Sequence, residues 1–324
     1  MNSALIWNIR FVNTQQAFER VMMLNRQKKF KFIALMEPFQ HQRHIEMYKL
    51  WVGMSTAWHN SNGKIWVFVD DEYQVETQKN TEQLLSLKLT KLIGGQEMVI
   101  SIVYASTDRA TRVTLWNDIL HISNTVNAPW LVGGDFNVIM DEIEKFGGLE
   151  VPFVEVEDFN QCINICQLTD LGFKGSMYTW WNGRSDEQCI FKRLDRCLAN
   201  QRLQDLYPNI EVEHLIKQGL DHSPLLINCK EDNTIIKKSF RFLNFWIEHP
   251  AFMDMVKDNW SGFHGSDPFY IFHSKLKKLS KILSKWSRDT YGDIFRQIDT
   301  LEEVVKIHEQ EFEENPSGAN RERL

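Results

Sequence analysis

Cysteine is scarce in this sequence, with five residues in 324, and the count is odd. Cys162 and Cys166 stand four apart on an expected helix, but no second pair with zinc-site spacing follows. A structural zinc module is therefore not expected, and buried free thiols are expected instead. Long apolar runs are missing as well. No stretch approaches the roughly 18 residues of a membrane span, so a membrane partner is not expected. The opening MNSALIWNIR lacks the basic segment and apolar core of a secretory leader, which makes an intracellular protein the expectation. Nor is there an excess of positive charge: 37 Lys+Arg against 43 Asp+Glu give a formal net charge of −6. Composition alone therefore does not point to nucleic acid, although carboxylates gathered at a metal site would hide a basic rim elsewhere.

What is present describes a globular chain. Hydrophobic residues make up 43% and charged residues 25%, and the length suits one large domain with an appendage or two ordinary domains. Short apolar, β-rich runs recur up to residue 230, among them ALIWNI, FIALME, KIWVFV, MVISIVYA, APWLVGGDFN and PLLINC. Helical stretches separate some of them, at residues 15–28, 109–122 and 155–166. Others are joined by short turns at Asn62-Gly63 and Gly94-Gly95. Mixed sheets with helices outside fit that pattern. Beyond residue 231 the periodicity turns helical. Leu276, Leu279, Leu283 and Trp286 step by three or four residues, and so do Ile298, Leu301, Val305, His308 and Phe312. The expected domains are residues 1–230 and a helical region over 231–324.

Polar residues stand at the ends of the expected strands. Asn8 follows Leu5-Ile6-Trp7, Glu37 follows FIALM, and Tyr104 ends the run 99–103. Asp135 and Asn137 close WLVGGDFN, Asp195 begins LDRCLA, and Asp221-His222 precede Leu225. Strand ends in a sandwich offer a rim that converges on one cleft. Singly, each has a plainer reading: an Asn or Asp after a strand is usually a turn former, and Tyr104 alone is an aromatic at the core edge. Jointly they suit phosphodiester hydrolysis. Glu37 and Asn8 could offer oxygens to a hard cation such as Mg²⁺. Asp135 could accept a proton from water, Asn137 and Tyr104 could donate to phosphate oxygens, and His222 oriented by Asp195 could set a positive charge against the transition state. In an extended segment residues i and i+2 face the same way, so Asp135 and Asn137 are expected to reach one phosphate, with Gly133 and Gly134 admitting the backbone.

GGDFN, followed far downstream by RLDRCLA and LDHSPLLI, resembles the endonuclease/exonuclease/phosphatase superfamily. The details are similar to the apurinic-like endonuclease of LINE-type non-LTR retrotransposons, especially plant elements. There the first strand reads much like WNIR, the second ends like LMEPF, and a YTWWN-like segment precedes the LDR strand. The resemblance covers residues 1–230. It implies a four-layer α/β/β/α sandwich of two mixed sheets, followed here by a helical extension, and it implies Mg²⁺, with Mn²⁺ as a substitute. It further implies Asn8, Glu37 and Asp221 near the metal, Asp135 as the water-activating aspartate, and Tyr104 and Asn137 on the phosphate. Asp195 matches the carboxylate paired with the catalytic histidine, His222. Thr179 and Trp180 fall in a segment that lies close to DNA in the family, and the loops over residues 179–184 would set selectivity. The implied activity is DNA nicking that makes the primer end for reverse transcription, by analogy in the nucleus. RFLNFWIEHPAFMDMVKDNW and WSRDTYGDIFRQIDTLEEVVKIHEQ are similar to the connector that joins the endonuclease to a reverse transcriptase in plant elements. A piece of a larger polyprotein, with a reverse transcriptase domain as partner, is therefore expected.

Three positions depart from the family pattern. Phe11 stands where many such elements have glycine, a residue suited to a turn with positive φ. Leu220 replaces a serine, which removes a hydroxyl beside Asp221. Arg10 stands where cellular apurinic endonucleases carry a second metal-binding aspartate, although retroelement members commonly have arginine. Two alternative readings stand beside the nicking endonuclease: a phosphatase or repair nuclease on the same scaffold, and a decayed copy that folds and binds DNA without cutting it.

Overall fold

The structure is a computed structural model. It describes residues 3–12, 14–229, 242, 244–260, 268–292 and 294–324; the expected domain boundary at residues 230–231 lies outside them. The chain divides into two compact units, residues 1–233 with 307–324, and residues 234–306.

In the first unit the strands are β1 (Ser3–Asn8), β2 (Phe32–Met36), β3 (Thr56–His59), β4 (Ile65–Val69), β5 (Tyr73–Asn80), β6 (Leu84–Lys91), β7 (Glu97–Tyr104) and β8 (Trp130–Asp135). They continue with β9 (Lys145–Phe146), β10 (Thr169–Asp170), β11 (Lys174–Gly175), β12 (Trp180–Trp181), β13 (Phe191–Lys192), β14 (Asp195–Ala199), β15 (Ile210–His214) and β16 (Leu225–Cys229). A seven-stranded sheet runs β11-β15-β16-β1-β2-β4-β3, and a six-stranded sheet runs β10-β14-β8-β7-β6-β5. Both are mixed: β1 and β2 pair in parallel, as do β7 and β8, within otherwise mostly antiparallel ladders. A small third sheet runs β12-β13-β9.

Strand periodicity explains why these runs read as almost continuously apolar. Successive side chains leave opposite faces of a strand. In β1, Ala4 and Ile6 enter the core between the two large sheets, whereas Leu5 and Trp7 pack beneath helices. In β2, Phe32, Ala34 and Met36 face inward while Ile33 and Leu35 face the helices. Helices α1 (Gln15–Lys28) and α2 (Ile45–Val52) supply Phe18, Val21, Leu24, Tyr48 and Val52 to that outer layer. On the other sheet, α3 (Arg109–Thr125) and α4 (Phe153–Ile165) cover Trp130 and Val132 with Leu115, Trp116, Ile119, Phe159 and Ile163. Each such fully buried side chain stabilises the fold by about 1.5–3 kcal/mol before ordering costs. Helix, sheet, sheet, helix is the expected four-layer sandwich, followed by a helical C-terminal region. The five cysteines are free and buried, as expected.

After the short α5 (Gln201–Leu206), the remaining helices are α6 (Phe252–Trp260), α7 (Pro268–Tyr291), α8 (Ile294–Glu314) and α9 (Gly318–Arg321). In the second unit, Leu279, Leu283 and Trp286 of α7 pack with Trp246, Phe252, Met255 and Val256. Leu276, the first position of that expected stripe, is exposed. Of the second stripe, Leu301 is exposed and Phe312 is buried. Phe312 belongs to the first unit, where it lies edge-on to Trp181 and Phe191. Nearby Glu313 pairs with Lys217 at 3.0 Å, and Glu309 accepts the backbone N–H groups of Lys217 and Gln218. No helix among the described residues is long and apolar enough to cross a membrane.

Candidate active site

The rims of the two large sheets gather the expected side chains. On the six-stranded sheet, Tyr104 is aligned with Asp135 across β7 and β8, and Asp135 with Asp195 across β8 and β14. Aligned residues on neighbouring strands project to the same side, so these three form one lateral row. From the seven-stranded sheet come Asn8, the last residue of β1, Glu37, just past β2, and His222, shortly before β16.

Five of these residues interlock. Asn8 Nδ2 donates to Asp135 Oδ2 at 3.0 Å and lies 3.4 Å from His222 Nε2. His222 Nδ1 donates to Asp195 Oδ2 at 2.8 Å, and its Nε2 is 3.9 Å from Asp135 Oδ2. The backbone N–H of Asn137 donates to Asp135 Oδ1 at 2.9 Å. Asn8, Asp135, Asp195 and His222 are all buried. Burial lifts the Asp135 carboxyl well above the ordinary carboxylate range and the Asp195 charge lifts it further, against the pull of His222. Burial opposes charge on His222 too, but Asp195, by its charge and hydrogen bond, with Asp135 and Asp221, overrides it and raises the imidazole to about 9. His222 is therefore an imidazolium at neutral pH.

A more open layer flanks this group. The Tyr104 hydroxyl donates to Glu37 Oε1, and burial, then that bond, raise the phenol so far that it stays a donor. Arg10 Nη1 lies 2.5 Å from Asp221 Oδ2, and its Nε is 3.9 Å from Glu37 Oε2. One observation bears on a metal. Asn8 Oδ1 and Asp195 Oδ1 are buried without hydrogen-bond partners. The Asn8 amide cannot be reversed, because its nitrogen is committed to Asp135. An orphaned amide oxygen among carboxylates suits a hard cation with oxygen ligands. Asp135 and Asp195 also bring carboxylate oxygens within 4.8 Å of each other, while His222, as an imidazolium, has no lone pair to offer a cation. The donor set fits Mg²⁺, and the Arg10 charge disfavours a second ion beside it.

Several expectations need correction. Asp135 and Asn137 do not meet because both sit in an extended segment. The strand ends at Asp135, and Asn137 has φ 50°. They are joined by an Asx-type turn in which the Asp135 carboxylate caps the Asn137 N–H, so turn former and site residue are the same thing here. Gly133 and Gly134 serve packing rather than approach to a phosphate: a Cβ at Gly134 would lie 2.0 Å from Val103 O, and one at Gly133 would lie 2.7 Å from Ile6 Cδ1. Thr179 does not face a DNA surface. It is fully buried, its Oγ1 accepts the N–H groups of Leu194 and Asp195 at 2.9 Å each, and its carbonyl accepts the Ser223 N–H. One residue thus ties the Asp195 strand, through its hydroxyl, to the His222 segment, through its carbonyl. Trp180 is half-buried and forms a backbone bridge to His222.

The family departures have local explanations. Phe11 has φ 71°, the conformation that favours glycine, and its ring stacks on exposed Phe39 at 4.6 Å. Leu220 packs against the helix-side core of the seven-stranded sheet.

Sequence reasoning missed one supporting network. Arg193 and Arg196 flank Asp195 and are both buried. Arg196 Nη2 meets Glu144 Oε2 at 2.7 Å and its Nη1 meets Asp170 Oδ2 at 3.0 Å; Arg193 reaches the same two acids at 2.9 Å each. Burial disfavours charge on Glu144, yet the Arg196 guanidinium holds its carboxyl below the ordinary value. The signal available was the motif RLDR itself, in which two arginines bracket a carboxylate.

No protein-family model matches the chain, and no curated protein matches it. Solved structures do. The chain is similar to the endonuclease domain of TRAS1, a telomere-specific non-LTR retrotransposon, at 14% identity and a TM-score of 0.54, covering 72% of this chain and 100% of that one. It is similar to an AP endonuclease from Archaeoglobus fulgidus at 15% identity and a TM-score of 0.55, covering 71% and 100%. It is also similar to the AP endonuclease LMAP from Leishmania major at 12% identity and a TM-score of 0.55, covering 71% and 88%. At these identities the likeness establishes the fold, an α/β sandwich of the endonuclease/exonuclease/phosphatase type.

Proposed function

We propose that the protein is a Mg²⁺-dependent endonuclease that hydrolyses a phosphodiester bond in DNA. The observation that carries this reading is the buried Asp135 carboxylate, held by Asn8 and the Asn137 N–H, 3.9 Å from an imidazolium paired to Asp195. A base and a cation on one rim are the two groups that attack on phosphorus requires. Asp135 takes the proton of the attacking water, and its raised pKa strengthens it as a base. His222, oriented through Nδ1 by Asp195, presents Nε2–H to the charge that builds on the phosphate oxygens. Tyr104, kept neutral, adds a hydroxyl donor, and Asn137 fixes the Asp135 carboxylate through its N–H while its amide donates to the Ala105 carbonyl at 2.8 Å. A divalent ion held by Asn8 and Glu37, with Asp221 nearby, supplies Lewis-acid stabilisation of the phosphate when bound.

A polynucleotide is favoured over a small phosphate ester because proteins of similar fold are named as endonucleases. The narrower reading is a nick that provides the primer end for reverse transcription by a reverse transcriptase partner. It is supported by the order of GGDFN, RLDRCLA and LDHSPLLI and by the likeness to the TRAS1 domain. Supercoiled plasmid with Mg²⁺ tests the main claim: open circles should accumulate, and Asp135→Ala or His222→Ala should stop them. Equal nicking by wild type and variants would mean contamination and would leave a folded, inactive copy as the answer.

A further inference from the structure

The small third sheet is two-faced. Its register places Trp181, Phe191 and Phe146 in one cross-strand row, and Trp180, Lys192 and Lys145 in the other. Side chains of aligned residues share a face, so the two rows point to opposite sides. The aromatic row is covered over two of its three residues: Trp181 and Phe191 pack with Phe312, and Phe146 at its end is exposed. The other row continues beyond the sheet, because Trp180 forms an antiparallel bridge with His222. Read across, the row is His222, Trp180, Lys192, Lys145.

That row has an energetic oddity. Lys192 and Lys145 stand directly opposite each other, an arrangement that like charges make unfavourable. Lys192 is half-buried, and no carboxylate lies within ion-pair distance of it among the described residues. Its ammonium instead sits 5.9 Å from the Trp180 ring centroid. Glu155, the acid that acts on it from a distance, is engaged by Arg112. Lys145 donates to the Gly147 carbonyl at 2.5 Å, again without an acidic partner. Two neighbouring ammonium groups left uncompensated on the row that starts at His222 lower in energy when an anion with more than one charge lies along them.

We propose that Lys192 and Lys145 form a phosphate track for the DNA strand on one side of the scissile bond, with Trp180 contacting the sugar or base between the track and His222. Strands lie about 4.8 Å apart, so the row reaches about 10 Å from His222 at Lys192 and about 14 Å at Lys145. Phosphates of one strand advance about 3.4 Å each along the helix axis, so the row spans about three to four nucleotides. The proposal rests on the nuclease reading and names where that substrate lies.

The test uses the full chain with Lys192→Gln, Lys145→Gln, the double substitution and, as a charge-matched control, Lys174→Gln. Binding of a fluorescent duplex oligonucleotide is followed in EDTA by anisotropy across a salt series. The slope of log K against log salt should fall by about 0.9 for each track lysine removed and stay unchanged for Lys174→Gln. In plasmid nicking with Mg²⁺, the double variant should raise KM about tenfold with kcat within about twofold. Hydrolysis of bis(p-nitrophenyl) phosphate, too small to reach Lys192, should not change. Lys192→Arg should restore the slope. An unchanged slope in the double variant, with wild type still nicking DNA, overturns the track and leaves the nuclease reading intact. Failure of Lys192→Arg to restore the slope, with melting lowered in both Lys192 variants, overturns it in favour of a structural lysine. Wild type that neither binds nor cuts DNA overturns both readings.

Discussion

Asp135 and Asp195 are paired Cα to Cα across β8 and β14, which sets two buried carboxylates side by side with His222 bound to one and 3.9 Å from the other. Burial and the Asp195 charge oppose ionisation of Asp135, and the histidine is what makes the charge tolerable. This relationship determines how activity should depend on pH.

The base must be deprotonated and the imidazole protonated, so the nicking rate should follow a bell. Asp135 is raised, so the acid limb should lie above the ordinary carboxylate range; His222 titrates at about 9, which sets the alkaline limb. Asp195 raises both groups. Asp195→Asn should therefore move both limbs to lower pH as well as slowing the reaction, a result read from single-turnover nicking across pH. An unmoved alkaline limb would separate Asp195 from His222.

Asp135→Asn keeps the size of the side chain, removes the base, and leaves a single oxygen to accept from Asn8 Nδ2 and the Asn137 N–H. Nicking should fall by about 10²–10⁴, read from single-turnover rates. Combining it with His222→Ala should cost far less than the product of the two single losses, because the residues act as a unit.

Thr179→Val leaves the Leu194 and Asp195 N–H groups without their shared acceptor. Each abandoned buried donor costs about 1–3 kcal/mol, so chemical denaturation should show a loss of that order or somewhat more. Thr179→Ser should recover most of both stability and nicking. A valine variant as stable and active as wild type would show that the hydroxyl does not hold the Asp195 strand in place.

Arg196→Met breaks a fully buried pair and leaves Glu144 and Asp170 facing Arg193 alone. Breaking such a pair costs about 3–5 kcal/mol, measurable by urea denaturation. Because the strand that carries Asp195 is the one disturbed, nicking should fall even at temperatures where the variant is folded.

Phe312→Ala should destabilise the first unit by about 3–5 kcal/mol, since it empties a buried aromatic site against Trp181 and Phe191. Truncation after residue 306 should do the same and remove Glu309 and Glu313 from Lys217 as well. Thermal melting of both variants checks this; an unchanged melting temperature would mean that the last residues are dispensable to the fold.

Much of this arrangement could be read from the chain, for a physical reason. Strand runs buried on both faces leave an unmistakable trace of β-rich apolar residues, and the polar residue at one end of each run is the one that reaches the rim. Asn8, Glu37, Tyr104, Asp135 and Asp195 were visible in this way. The roles of their neighbours were not. Thr179 reads as a surface polar residue beside two tryptophans, and nothing local shows that its hydroxyl meets the backbone of Leu194 and Asp195, which it precedes by some fifteen positions.

The sequence by itself determined the layers and the list of reactive groups, because period-two burial and strand-end polarity are local properties of a chain. Tertiary structure alone decided register: which carboxylate lies opposite which, that Gly134 clears Val103 O, that Arg196 closes on Glu144 and Asp170, and that a row of two lysines leads away from His222. Register is settled by cross-strand packing between residues far apart in the chain, and a slip of one position would turn every side chain to the other face.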